Sequence, residues 1–156
     1  MISAIDCYKK YGEPSKTNPF LTWWDIPTKY EINQIPKKLW CNRDLVKPLE
    51  KAFENLLTRG FMPELCTWDG CLNIRVIRGY EKKYEALMKA GKKEEAAKLM
   101  SLHSWGICID INAFENQLGQ VPKLSAGFVK CFTDAGFDWG GNFDRVDGMH
   151  MQLARI

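Results

Sequence analysis

Apolar and polar residues alternate along this chain in patterns that predict several elements. From Asp44 to Arg59, Leu45, Leu49, Ala52, Phe53, Leu56 and Leu57 recur at helical spacing. Asp44 is placed to cap that helix, Gly60 to end it, and Pro48 falls in its first turn, where a missing N–H is tolerated. Ile107, Ile109 and Ile111 alternate with Cys108, Asp110 and Asn112, so a half-buried strand is expected with Asp110 on the face away from the isoleucines. Met149, Met151 and Leu153 alternate with His150 and Gln152 and predict another short strand. Leu72 to Arg78 is rich in β-branched residues and bounded by Gly70 and Gly79, which predicts a strand as well. Ser125 to Ala135 reads as a helix capped by Ser125, with Phe128, Val129, Cys131 and Phe132 as its apolar stripe and Gly136 as its stop.

Two stretches are less regular. In residues 80–100, Tyr80, Tyr84, Leu87 and Met88 keep helical spacing, Gly91 breaks it, and Glu94 to Met100 resumes it. A helical insertion is expected, as a hairpin or one kinked helix, with a solvated charged face. Residues 1–40 carry Pro14, Pro19, Pro27 and Pro36, which forbid a long helix. An irregular N-terminal arm is expected, held on the domain by burial of Phe20, Trp23 and Trp24. The sum is an α+β fold over residues 1–156: one domain, a small antiparallel sheet with helices packed around it.

Composition narrows the function. The chain has 156 residues, enough to bury a core without staples, and its 22 basic against 19 acidic side chains give a formal charge of +3. That balance is too weak to argue for nucleic acid. No apolar run approaches the ~20 residues of a bilayer span. The opening MISAIDCYKK lacks the apolar core of a secretory signal, so cytoplasmic synthesis is expected. The six cysteines read as reduced and mostly buried thiols.

The two histidines, His103 and His150, both sit in contexts that suggest chemistry. A catalytic zinc takes three protein ligands and leaves a fourth position open, so a third ligand must be a carboxylate or a thiolate. Asp110 offers a carboxylate on the polar face of its strand, Gly106 lets the chain turn between His103 and that strand, and His150 arrives from a second strand. Asp147, three residues before His150, is placed as a general base. The plainer alternative is two ordinary histidines and an Asp-Gly turn.

Ser101-x-His103-x-x-Gly106-x-x-x-Asp110, followed by Asp147-x-x-His150, resembles the zinc peptidases of bacterial cell-wall metabolism. These include D-alanyl-D-alanine carboxypeptidases, D,D-dipeptidases and phage L-alanyl-D-glutamate endopeptidases. Phe128 to Gly141 is similar to the helix-then-Trp-Gly-Gly stretch of phage lysins in that family, and Trp68 to Gly79 to the strand they carry upstream. The resemblance covers roughly residues 40–156 and implies one Zn²⁺ held at the sheet by His103, Asp110 and His150, with Asp147 as catalytic base. It also implies an arginine that holds the developing oxyanion, for which Arg78 and Arg75 are the candidates, on opposite faces of the expected strand, with Arg78 the first choice for its closeness to the turn. Ser101, Trp105 and Trp139 are candidate substrate-binding residues, the two tryptophans being equally candidates for the core. Cys108 stands where the family has a small residue, on the same face as Asp110.

The function so implied is hydrolysis of peptidoglycan stem peptides, with an endolysin-type cut at L-Ala–D-Glu as the first expectation and a D-alanyl-D-alanine carboxypeptidase as the second. Such a chain would work as a monomer on the bacterial cell wall after release, or as part of a virus particle. Two rivals stand beside it: a non-catalytic protein that uses the same metal site for binding, and a cysteine hydrolase using Cys71 or Cys108.

Overall fold

The computed structural model describes residues 1–156. Five α-helices surround two antiparallel sheets, which makes the fold α+β as expected. In chain order these are α1 (Ala4–Tyr11), β1 (Leu21–Asp25), β2 (Lys38–Asn42), α2 (Arg43–Arg59), β3 (Trp68–Gly70), α3 (Glu81–Lys89), α4 (Lys93–Ala97), β4 (Cys108–Ile111), α5 (Ala126–Thr133), β5 (Phe137–Trp139) and β6 (His150–Leu153). No helix is long and apolar enough to cross a membrane.

The N-terminal forty residues are not an irregular arm. Ser3 and Asp6 form a capping box that starts α1, and β1 pairs with β2 from Leu21–Asn42 to Asp25–Lys38. The four prolines punctuate these elements and do not prevent them: Pro14 and Pro19 precede β1, while Pro27 and Pro36 lie in the β1–β2 connection. Aromatic burial holds only part of the segment. Trp24 stacks on Phe53 of α2 with ring centroids 6.1 Å apart, and Phe20 meets Tyr11 edge-on at 4.9 Å. Trp23, expected to pack, is 59% exposed and lies against Trp40 and Lys38 on the outer side of the hairpin.

Helix α2 buries Leu45, Leu49, Ala52, Phe53 and Leu56, whereas Leu57 stays exposed at the edge of the stripe. Its cap is Asn42, whose side chain accepts from the Asp44 amide, and not Asp44 itself. Asp44 accepts from Tyr11 Oη at 2.8 Å and pairs with Lys10 at 2.9 Å, which ties α1 to the start of α2. Pro48 therefore lies inside the helix, past its first turn.

Helix α5 packs across α2, and buried Asn55 donates to the Cys131 carbonyl at 2.9 Å across that interface. Replacing Asn55 by alanine strips an enclosed carbonyl of its donor. A destabilisation of about 1–3 kcal/mol is expected, read from the urea midpoint with an unchanged slope.

The four-stranded sheet runs β3-β4-β6-β5. The predicted strand 72–78 is not part of it, since the strand that pairs with β4 is the earlier Trp68–Gly70. Residues 72–78 instead run beside 99–104, joined by the isolated Val76–Met100 bridge and by backbone hydrogen bonds from Ile77 to Leu99, Ser101 to Arg75 and Asn73 to His103, without forming a regular strand pair. The reason is the partner. Leu102–Trp105 is a 3₁₀ turn, and a helical turn cannot carry a strand's ladder. Residues 80–100 form the expected helical hairpin. Gly91 takes the left-handed conformation between α3 and α4 (φ 72°), and α4 buries Ala96 and Ala97 as it packs on α1.

Candidate metal and catalytic site

Three short elements bring the site together. β4 and β6 are antiparallel neighbours with Asp110 directly opposite His150, Cys108 opposite Gln152, and Ile109 opposite Met151 between them. Side chains alternate along a strand, so Asp110, His150, Cys108 and Gln152 share one face while fully buried Ile109 and Met151 anchor the other in the core. His103 comes from the 3₁₀ turn just before β4. Ser101 caps that turn, accepting from the His103 amide, and Gly106 ends it in the left-handed conformation (φ 68°). A Cβ on Gly106 would also lie 3.0 Å from the Asn42 amide nitrogen, so only glycine fits the crossing that aims His103 at the sheet.

The three side chains converge. His103 Nε2 lies 3.2 Å from His150 Nδ1 and 3.2 Å from one Asp110 oxygen, and His150 Nδ1 lies 3.2 Å from the other. Each ring's far nitrogen is already engaged. His103 Nδ1 is 2.7 Å from the Cys71 carbonyl, and His150 Nε2 is 3.1 Å from Gln152 Oε1. Carbonyl oxygens only accept, so those nitrogens donate. In the neutral rings the lone pairs of His103 Nε2 and His150 Nδ1 then face each other and the carboxylate. A proton can bridge one pair of these atoms at a time, whereas a single cation at the common point satisfies all three. Ligands about 2.0–2.1 Å from a tetrahedral ion stand about 3.3–3.4 Å apart, which matches the observed triangle. The donor set and its spacing fit zinc.

Cys108 also adjoins the two imidazoles, and His103, Cys108 and His150 form a looser group whose ligand atoms lie within 4.8 Å of one another. The Asp110 triangle is tighter. Burial, with the charges of neighbouring groups, drives the Cys108 thiol well above its ordinary pKa and opposes the thiolate a metal would need. Burial drives Cys71 up in the same way. Neither enclosed thiol has the electropositive, accessible setting of a cysteine nucleophile.

Electrostatics follow the geometry. Burial alone would raise the Asp110 pKa, but hydrogen bonds and charge from His103 and His150 hold it well below the usual carboxylate range. Burial would lower the His103 pKa, yet Asp110 and the Cys71 carbonyl raise it. Asp147 moves the other way. Burial raises its pKa and the Asp110 charge adds to this, against His150, His103 and Arg75. Its Oδ1 is buried with no hydrogen-bond partner in the chain.

The turn that carries Asp147 is held by the Trp-Gly-Gly stretch. The Asp147 amide donates to the Gly140 carbonyl at 2.9 Å, and Trp139 Nε1 donates to the Gly148 carbonyl at 2.9 Å. A side chain on Gly140 would overlap the Asp147 carbonyl and press on His150 Cβ. Trp139 thus supports the turn and lines a separate hollow along α5, away from the His–Asp triangle. Trp105 is buried and donates its indole N–H to the Gly12 carbonyl at 2.9 Å, on the α1 side. Neither tryptophan lines the cleft over the triangle.

That cleft has a volume of about 390 Å³ and is lined by Ser101, His103, Asp110, Asp147 and His150 together with Arg75, Arg78 and Arg145. The backbone of Arg75 is fastened to the His103 turn: its amide donates to Ser104 Oγ at 3.1 Å, and its carbonyl accepts from the Ser101 amide at 3.0 Å. No residue of α3 or α4 lines the cleft. Sequence reasoning missed Gln152 and Arg145. Gln152 was detectable, because two residues beyond His150 on one strand means the same face. Arg145 lies in a loop, where no periodicity marks it.

Residues 94–153 match the model of a protein family described as D-alanyl-D-alanine carboxypeptidase. No curated protein and no solved structure matches the chain.

Proposed function

We propose, from a family match that supports the zinc peptidoglycan peptidases, that this chain is a zinc peptidase hydrolysing stem peptides of bacterial peptidoglycan. The observation that carries the proposal is the 3.2 Å triangle of His103 Nε2, His150 Nδ1 and the Asp110 carboxylate, which we assign as the metal ligands. A zinc ion bound there supplies Lewis acidity, polarising a carbonyl and making water a better nucleophile near neutral pH.

The protein's own groups do the rest. Asp147 takes the proton of the attacking water and passes it to the departing amine. Its raised pKa and unpartnered Oδ1 suit an acceptor that must hold a proton and then release it. Arg75 donates to the oxyanion that develops on the scissile carbonyl. It is preferred to Arg78 because its charge is felt by both His103 and Asp147 and its backbone is pinned to the His103 turn. Ser101 caps the turn and lines the floor of the cleft.

The endopeptidase cut at L-Ala–D-Glu is the first reading, on the likeness of the Trp68–Gly79 and Phe128–Gly141 stretches to phage lysins. Removal of a terminal D-alanine is the second, favoured by the description of the matching family. Mass spectrometry of a defined murein digest separates them. New N-terminal D-Glu ends support the first, released D-alanine supports the second, and an unaltered digest from zinc-loaded protein rejects both.

Gln152 tests the imidazole support directly. Gln152→Leu keeps the bulk but leaves His150 Nε2–H without its acceptor, so the ring loses its fixed tautomer and orientation. A ten- to hundredfold weaker zinc affinity is expected by chelator competition.

A further inference from the structure

The outer face of the β1–β2 hairpin carries an aromatic pair that the proposed hydrolysis does not use. Side chains alternate across a strand, so Trp24, Leu39 and Cys41 turn inward, where Trp24 stacks on Phe53 of α2. Trp23 and Trp40 stand directly opposite each other on the other face, ring centroids 5.3 Å apart, with Asp25 and Lys38 paired next along the ladder. Of the chain's six tryptophans only Trp23 is exposed, at 59%. The pair is nonetheless held in place. Lys38 Nζ lies 4.9 Å from the Trp23 ring centroid, and Trp40 donates its indole N–H to the Lys16 carbonyl at 3.3 Å. A single exposed apolar residue is ordinary, whereas two indoles fixed side by side present a ready stacking surface. The same face reaches the catalytic region. Leu21 lies two residues before Trp23 on its side of the strand, and a Cβ on Gly106 would come 3.2 Å from Leu21 Cδ2. Asn42, opposite Leu21, donates to the Trp105 carbonyl at 3.1 Å. Two residues of strand span about 7 Å, so the aromatic pair begins one step beyond the contact with the turn that carries His103.

We propose that Trp23 and Trp40 form a stacking platform for the glycan strand of peptidoglycan, the polymer whose stem peptides enter the His–Asp cleft. The choice of occupant rests on the peptidoglycan reading above and adds to it a contact outside the cleft. Size favours a narrow ligand. A tryptophan side chain offers about 150–250 Å², so the pair falls well short of the roughly 800 Å² that a stable protein interface buries on each partner. Chemistry favours a sugar. The C–H bonds on the face of a pyranose ring carry slight positive charge, and the indole face is negative. Lys38 and Asp25, beside the rings, offer a donor and an acceptor to hydroxyl and N-acetyl groups. The hairpin also lies outside the matched residues 94–153, so the platform is a feature of this chain and not of the matched segment. Holding one polymer at two places raises the effective concentration of its scissile bonds at the cleft.

The test uses the zinc-loaded full chain and two sugar probes: an N-acetylglucosamine tetramer, and murein glycan strands stripped of their stem peptides, which leave the cleft nothing to hold. Saturable binding is read by calorimetry and by the change in tryptophan fluorescence. Trp23→Ala is expected to weaken it at least about tenfold, and Trp23→Phe, which keeps an aromatic face, to weaken it less. Phe114→Ala removes a ring of similar exposure (57%) elsewhere on the surface and is expected to keep the wild-type affinity. Trp23→Ala is also expected to hydrolyse soluble stem peptides like the wild type but intact sacculi at least about tenfold more slowly. Wild type that binds neither probe, binding that survives Trp23→Ala, or an equal loss in Phe114→Ala overturns the proposal. An equal loss of hydrolysis on soluble peptides and sacculi overturns it too, as does a concentration-dependent dimer in sedimentation that Trp23→Ala abolishes. The binding measurement needs no hydrolysis. Protein that cleaves nothing yet binds glycan through Trp23 upholds the platform while the peptidase reading fails.

Discussion

Asp147→Asn is expected to bind zinc like the wild type and to hydrolyse stem peptides about 10²–10⁴-fold more slowly. The substitution is nearly isosteric, so the turn held by the Gly140 carbonyl and by Trp139 on Gly148 has no reason to move. What is lost is the proton acceptor. An amide cannot take a proton from the attacking water or return it to the departing amine. The position of the carboxyl explains its basicity. It is largely removed from solvent, beside the negative Asp110, with Oδ1 lacking a partner. Steady-state kinetics with metal analysis on the same sample checks this. Equal activity of wild type and variant would remove Asp147 from the chemistry. If both are inert while zinc binds at full occupancy, the metal site serves binding and not turnover.

Asp110→Ala has the second large effect, on the metal itself. The two imidazoles remain, each still oriented by its outer hydrogen bond to Cys71 or Gln152, but the negative ligand is gone. Two neutral nitrogens hold zinc far more weakly than a set that includes a carboxylate. Zinc content is therefore expected to drop from one ion per chain to substoichiometric levels after dialysis, with activity falling by at least about a thousandfold. The wild type is also expected to gain thermal stability with added zinc, because an ion that binds only the folded chain stabilises it by mass action. In Asp110→Ala that gain should vanish. A variant that keeps full zinc content would point to Cys108 as the third ligand.

The parts of the fold that were readable in the sequence are those where one face is buried and the period is long enough to register. α2 and α5 showed their apolar stripes, and β4 and β6 their alternation, because core packing dictates those positions. The same alternation put Asp110 and His150 on polar faces, and register set them opposite each other. The chain's N-terminal region was less legible. α1 is only two turns long, too short for its apolar period to register ahead of the prolines that follow it. Leu72–Arg78 has strand composition, but a strand needs a partner, and the neighbouring chain there is a 3₁₀ turn. Trp24 packs as expected, whereas nothing in the pattern decides between cleft and core for Trp105 and Trp139. Trp105 turns toward Gly12 and Trp139 toward Gly148, contacts far apart in sequence or set by a loop that no pattern encodes. The arginine-rich wall of the cleft has the same origin, since Arg75, Arg78 and Arg145 meet only after folding.

Zinc held by two imidazoles and the Asp110 carboxylate underlies every step of the proposed chemistry. X-ray absorption spectroscopy of the zinc-loaded protein tests that ligand set most directly. The expected first shell contains only nitrogen and oxygen at about 2.0–2.1 Å, with the multiple-scattering signature of two histidines. A sulfur scatterer at about 2.3 Å, or zinc without imidazole scattering, would contradict it.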